Sequence, residues 1–216
     1  MLPSIDINRP VKQLVFSMPM PRVLILYATT EGHTARVAER IAKRLQDRGH
    51  RVERRRAHSA RTSLDLEEYE TVIVGASVHY GRHPGHLRSL LRKHRAALAA
   101  RPGAFFSVSL SAGGPGAKPQ AARRYVETFL RQVGWQPQHA AAFGGALQYS
   151  RYGAFKRLLM TAFVGLAGGD TDTSRDYEYT DWDAVDRFAD RATGCRFETP
   201  RGARTWHSGS NHASPT

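Results

Sequence analysis

The feature that most constrains this chain is a short, almost wholly apolar run, Arg22–Tyr27 (RVLILY). It passes into a helical pattern through a polar turn, Thr29–Thr34 (TTEGHT). A strand that is apolar on both faces must be covered on both sides, and an open sheet achieves this between two layers of helices. The following helix, His33 to about Arg48, places Val37, Ala38, Ile41, Ala42 and Leu45 on one face, and Gly49 stops it. The alternation then repeats. Arg51–Arg56 is expected as a polar second strand suited to a sheet edge. Thr71–Ala76 (TVIVGA) is the most central strand, and His83–Leu98 a helix with Pro84 in its first turn. Ala104–Leu110 is the fourth strand, Lys118–Val133 a helix, and Ala140–Leu147 contains the fifth strand. A last helix runs from Trp182 to Ala192, capped by Thr180 or Asp181. This order predicts an α/β fold: a doubly wound, five-stranded parallel sheet of order 2-1-3-4-5, with a helical insertion after strand five. Residues 1–21 are expected as an irregular extension, in which Met18 or Met20 is an alternative start to Met1. Residues 22–193 form the domain, and 194–216 are expected as a disordered tail.

Charge narrows the partners. Thirty-two Lys and Arg face nineteen Asp and Glu, a formal net charge of +13. Such a field attracts acidic lipid headgroups, carboxylate substrates or nucleic acid. No helix-turn-helix, zinc-finger or RNP pattern accompanies it, so nucleic acid is not an expected partner. The Arg51–Arg61 run reads as a solvated edge. A single cysteine, Cys195, excludes an internal disulfide and suits a reducing compartment. No run is long and apolar enough to span a bilayer, and Met1–Pro21 lacks a secretory pattern. The expected location is the cytoplasm, with peripheral attachment to the inner face of the cytoplasmic membrane. Ten histidines without ligand spacing leave no expected metal site.

In an open parallel sheet, ligands bind beyond the carboxyl ends of the strands near the topological switch point. Three loops occupy that position. The first, Thr29, Thr30, Glu31, Gly32, His33 and Thr34, offers hydroxyls and free N–H groups at a helix N-terminus, a phosphate site. It contains neither GxxxxGK[ST] nor GxGxxG, which argues against a nucleoside triphosphate or a nicotinamide dinucleotide. The second, Ser77, Val78, His79, Tyr80, Gly81 and Arg82, combines small residues with an aromatic that either stacks on a ligand or belongs to the core. The third, Ser109, Leu110, Ser111, Ala112, Gly113, Gly114, Pro115 and Gly116, is Gly-rich and has no aromatic of its own. It reads either as the far wall of a ligand site or as a flexible connector.

TTEGHT after an apolar strand resembles the phosphate loop of flavodoxins, which holds the FMN 5′-phosphate without a basic side chain. Further blocks narrow the resemblance: Gly75–Arg82 (GASVHYGR), Ala104–Leu110 (AFFSVSL), Gly144–Tyr149 (GGALQY), Gly168–Thr173 (GGDTDT) and Tyr179–Trp182 (YTDW). Together they resemble the quinone-coupled protoporphyrinogen IX dehydrogenase family of haem biosynthesis, across about residues 22–192. The resemblance implies a flavodoxin-like domain holding FMN. It implies electrons passing from protoporphyrinogen IX to flavin and on to menaquinone or ubiquinone at an anionic membrane surface. Thr29–Thr34, Ser77–Gly81 and Ser109–Ser111 then contact FMN, and Arg82 and Arg151 are candidates for the substrate carboxylates. No catalytic base is identified, and no oligomeric state follows.

Between GGALQY and GGDTDT lies the insertion, about residues 150–167. Phe155, Leu158, Leu159, Ala162, Phe163 and Leu166 follow helical spacing, with Arg151, Lys156 and Arg157 at the start. Twelve residues reach only ~18 Å, too short to cross a bilayer. The stripe is either a lid or membrane-interface element, or a core-packing helix. Two rivals to the enzyme reading remain: a flavodoxin-type electron carrier or general quinone reductase, and a non-enzymatic binding module on the same fold.

Overall fold

The computed structural model of the chain describes residues 20–147, 176–194 and 205–208. Most of the expected N-terminal extension, Arg151 with the rest of the insertion, the Gly168–Thr173 block and most of the expected tail lie outside the described residues. The strands are β1 (Arg22–Ala28), β2 (Arg51–Arg56), β3 (Thr71–Ser77), β4 (Gly103–Ser109) and β5 (His139–Gly144). They lie side by side in the order 2-1-3-4-5, all parallel. The helices are α1 (His33–Gln46), α2 (Gly85–Lys93), α3 (Arg95–Ala99), α4 (Pro119–Val133) and α5 (Trp182–Gly194).

Each central strand is buried on both faces, and its alternate residues feed two separate cores. Leu24, Leu26, Val72, Val74 and Phe105 pack beneath Leu87, Leu90, Leu91, Val126, Phe129 and Val133 of α2 and α4. Val23, Ile25, Ile73, Ala104, Phe106 and Phe143 face Val37, Ile41 and Leu45 of α1 and Val185, Phe188 and Ala189 of α5. The period of two along each strand and the helical period above it therefore agree, and they fix the register.

Three differences from expectation have physical reasons. The helix expected over His83–Leu98 is two helices, because His94 (φ −103°, ψ 15°) leaves the helical region between α2 and α3. Its start moves to Gly85, with the extended Pro84 (ψ 127°) as the preceding cap. Residues 205–208, within the stretch expected as a disordered tail, form a strand, β8, which pairs in parallel with β5 from His139↔Thr205 to Ala142↔Ser208. It gives the exposed edge of β5 a hydrogen-bonded neighbour. Ahead of it, Ala146–Leu147 (β6) and Tyr177–Glu178 (β7) form a short antiparallel ribbon.

Arginine spacing joins α1 to α5. Arg36, Arg40, Arg44 and Arg48 recur every fourth residue and meet Glu178, Asp186, Asp190 and Asp190 again, at 2.6–2.9 Å. Hydrogen bonds from Arg40 hold the Asp186 carboxyl below its ordinary range, and those from Arg44 do the same for Asp190. The pairs are solvent-exposed, so each contributes little stability, but they set the register of the two helices.

Gly75 in β3 is required by close packing. A Cβ there would lie 2.1 Å from the ring of Phe106, which is fully buried across the sheet. Gly75→Ala is expected to lower stability by about 1–3 kcal/mol through overpacking. Urea unfolding of the variant beside wild type measures this, and an unchanged midpoint would contradict it.

Candidate functional site

The three loops named from the sequence meet at one cleft, beyond the carboxyl ends of β1, β3 and β4. It encloses about 940 Å³, counting the part open to solvent. Thr29, Glu31, His33 and Thr34 line it from the first loop, Ser77–Gly81 from the second, and Val108–Ser111 from the third. Thr30 and Gly32 are not in the lining. Thr30 is exposed, while Gly32 is the left-handed N-cap of α1 (φ 95°) and donates its N–H to Thr29 Oγ1 at 2.9 Å. No side chain caps α1 and its first turn carries no acid; Ala35 N–H donates to Gly32 O at 3.0 Å, which leaves the His33 and Thr34 N–H groups at the helix start for an anion. Outside the loop, Arg56 at the end of β2 donates to the Thr29 carbonyl at 3.1 Å.

The second loop closes as a tight hairpin. His79 N–H donates to Arg82 O at 2.8 Å, and Arg82 N–H donates to His79 O at 3.0 Å. Both central residues have positive φ, Tyr80 at 48° and Gly81 at 74°. A left-handed tyrosine costs about 1–2 kcal/mol. The turn nonetheless holds the ring 81% exposed at the rim of the cleft, which rules out the core reading of Tyr80. Arg82 is exposed beside it and does not line the cleft.

The third loop is folded rather than a loose connector. Lys118 N–H donates to Ser111 O at 2.8 Å and Gly145 N–H to Ser109 O at 3.0 Å. Its glycines accommodate a segment far away in sequence. A Cβ on Gly144 would lie 2.1 Å from the Tyr179 carbonyl oxygen, and a Cβ on Gly113 would lie 2.7 Å from it. The Tyr179 ring covers Gly114, so an aromatic does back this loop. The next residue, Thr180, joins the first loop to the end of β5: its Oγ1 donates to Gly144 O at 2.9 Å and lies 2.6 Å from His33 Nε2. Because the threonine proton goes to a carbonyl, which can only accept, His33 Nε2 must be the donor in the second contact.

Three hydroxyls, one from each loop, are buried without a protein partner: Thr34 Oγ1, Ser77 Oγ and Ser109 Oγ. All three residues line the cleft. Buried hydroxyls are seldom left unmatched, and these converge on one space. Together with the α1 N-terminus, they fit a phosphate bearing a polyhydroxylated chain and a flat ring. Tyr125 of α4, Gly145 and Ala146 complete the lining; the last two belong to the GGALQY block, and Tyr125 was not singled out from sequence. Tyr125 has no local signal, because its place arises from the packing of α4 over the hairpin at Gly81.

His83, just after the hairpin, packs against the stacked rings of Phe105 and Phe129, with Nε2 2.9 Å from Ser107 Oγ. Burial pushes its pKa from 6.5 down to about 4. The unfolded chain therefore binds the proton more readily, so stability present above pH 6.5 is lost as pH falls toward 4. The loss is expected to reach roughly 3 kcal/mol at the lower limit. His83→Gln should remove this component of the pH dependence, measured by urea unfolding between about pH 4.5 and 7.5. An equally steep slope in the variant would contradict it.

The flavodoxin-domain family model matches residues 24–174. Protoporphyrinogen IX dehydrogenase [quinone] of Leishmania major is 38% identical over 173 residues, covering 78% of this chain and 73% of that protein. The protein of the same name from Escherichia coli (strain K12) is 33% identical over 168 residues, covering 78% of this chain and 92% of that one. Among solved structures, a Streptococcus pneumoniae TIGR4 flavodoxin aligns at 14% identity with a TM-score of 0.47, covering 79% of this chain and 97% of that one. With the flavodoxin-domain model matching residues 24–174 and two such relatives covered over 73% and 92% of their length, the chain belongs to the protoporphyrinogen IX dehydrogenase [quinone] family.

Proposed function

We propose that this chain is an enzyme that oxidises protoporphyrinogen IX to protoporphyrin IX on bound FMN and passes the electrons to a membrane quinone, menaquinone or ubiquinone. The observation that carries the reading is the convergence of Thr34, Ser77 and Ser109 hydroxyls on one cleft in a chain of this family. Bound FMN would supply the redox chemistry: in each two-electron step a hydride equivalent leaves the tetrapyrrole, and the electrons end, with two protons, on the quinone as quinol.

The protein's share is binding and placement. Thr34 and the first-turn N–H groups of α1 take the phosphate, and Thr29 holds the loop around it through Gly32. Ser77–Gly81 and Ser109–Ser111 border the ring from two sides. The exposed ring of Tyr80 at the rim offers a face to a flat apolar substrate. Arg82 beside it, and Arg151 from outside the described residues, are assigned to the propionate carboxylates. Among the described residues no helix is long and apolar enough to cross a membrane. The net charge of +13 favours attachment to the anionic inner face of the cytoplasmic membrane instead.

The acceptor side gives a direct test. After photoreduction of the FMN-loaded protein, stopped-flow mixing with a quinone is expected to reoxidise the flavin rapidly, whereas NADPH should reduce the oxidised protein slowly. Rapid reduction by NADPH, with slow reoxidation by quinone, would replace this reading with a nicotinamide-dependent reductase.

A further inference from the structure

We propose that His33 is the phosphate-binding cation of this cleft: its Nδ1 takes up a proton as the phosphate dianion binds and then donates to a phosphate oxygen. The proposal rests on the FMN reading and goes further, because it makes cofactor binding a proton-coupled event.

The first loop poses an electrostatic problem. A dianion is to be held by Thr29–Thr34, a stretch with no lysine or arginine and with a glutamate, Glu31, in the lining. Arg56 reaches the loop only on its outer side, through the Thr29 carbonyl. His33 is the one group in this segment able to become a cation, and it lines the cleft beside Thr34.

The hydrogen bonding assigns its two nitrogens. Nε2 donates to Thr180 Oγ1, whose own proton goes to the Gly144 carbonyl. Nδ1 is therefore the lone-pair nitrogen of the neutral ring, and it is buried with no protein partner. An unmatched acceptor at the start of a helix is a poor match for an anion until it is protonated, when it becomes a charge-assisted donor.

The charged surroundings leave the proton balance open to a ligand. From α1, Arg36 opposes protonation, and from β7, Glu178 favours it. The Glu178 carboxylate is already engaged, by Arg36 at 2.7 Å and by Trp182 Nε1 of α5 at 2.8 Å. Thr180 is neutral, and the Trp182 ring packs 6.2 Å from the imidazole. Burial lowers the ring's proton affinity in the ligand-free protein. A phosphate dianion against Nδ1 reverses that preference.

The test is isothermal titration of the flavin-free protein with FMN at about pH 7.5, in two buffers of different ionisation enthalpy. At that pH the phosphate is already largely dianionic, so proton uptake reports on the protein. Uptake approaching one proton is expected, and FMN affinity should fall by up to about tenfold per pH unit above neutrality. Riboflavin, which lacks the phosphate, should show neither effect. His33→Gln preserves a donor toward Thr180 and removes the titrating Nδ1. It should abolish the uptake and weaken FMN ~10–100-fold, while riboflavin binds as before. FMN binding without proton uptake in the wild type would overturn the proposal while leaving FMN as cofactor, and it does so without any variant. Equal weakening of FMN and riboflavin in His33→Gln would also overturn it. No FMN binding by the wild type would overturn both readings.

Discussion

The cleft depends on one hydroxyl. Thr180 Oγ1 touches the Gly144 carbonyl at the end of β5 and the imidazole of His33 at the start of α1, residues 36 and 147 positions away along the chain. That bridge ties the phosphate-loop end of α1 to the end of β5 through one side chain. The bridge in turn requires glycine at 144 and 113, because the Tyr179 backbone occupies the space where their side chains would be. The Arg36–Glu178 pair and the α1–α5 arginine pairs extend the same docking along β7 and α5. The sheet creates the crevice, and Tyr179 and Thr180 pack against the residues that border it.

Much of the fold is legible in the sequence for a simple reason. Parallel central strands are covered on both faces, so RVLILY and TVIVGA are continuous apolar runs, and the helices between them carry clear stripes. The less legible parts depend on long-range contacts. Thr205–Ser208 (TWHS) is short and mixed in polarity, and only the open edge of β5 makes it a strand. The break at His94 lies inside a well-patterned amphipathic stretch, where periodicity alone gives no warning.

The site divides along the same line. Loops at strand ends are found by topology, and all three named loops contribute to the cleft. Which residues within a loop turn inward depends on local backbone geometry. The left-handed Gly32 leaves Thr30 exposed while burying Thr34 beside it. Tyr125 and Thr180 act through tertiary packing, and only the second belonged to a motif that could be quoted beforehand, YTDW. Tyr80 shows the opposite case: the sequence left it between core and surface, and a positive φ in a two-residue turn decides the matter.

Charge has two separate roles in this account. Some arginines are matched by acids and act in structure, in the pairs between α1 and α5 and in Arg55 with Glu53 on the sheet edge. The basic residues left unmatched give the chain its net charge of +13, a field that attracts anions. The central claim is that the cleft carries electrons out of a tetrapyrrole substrate. Its most direct test is anaerobic addition of protoporphyrinogen IX to the FMN-loaded protein, with visible absorbance followed through the reaction. The flavin bands should bleach as porphyrin bands grow, and should return when quinone is added. Flavin bands that stay unchanged in the presence of excess protoporphyrinogen IX would contradict the account.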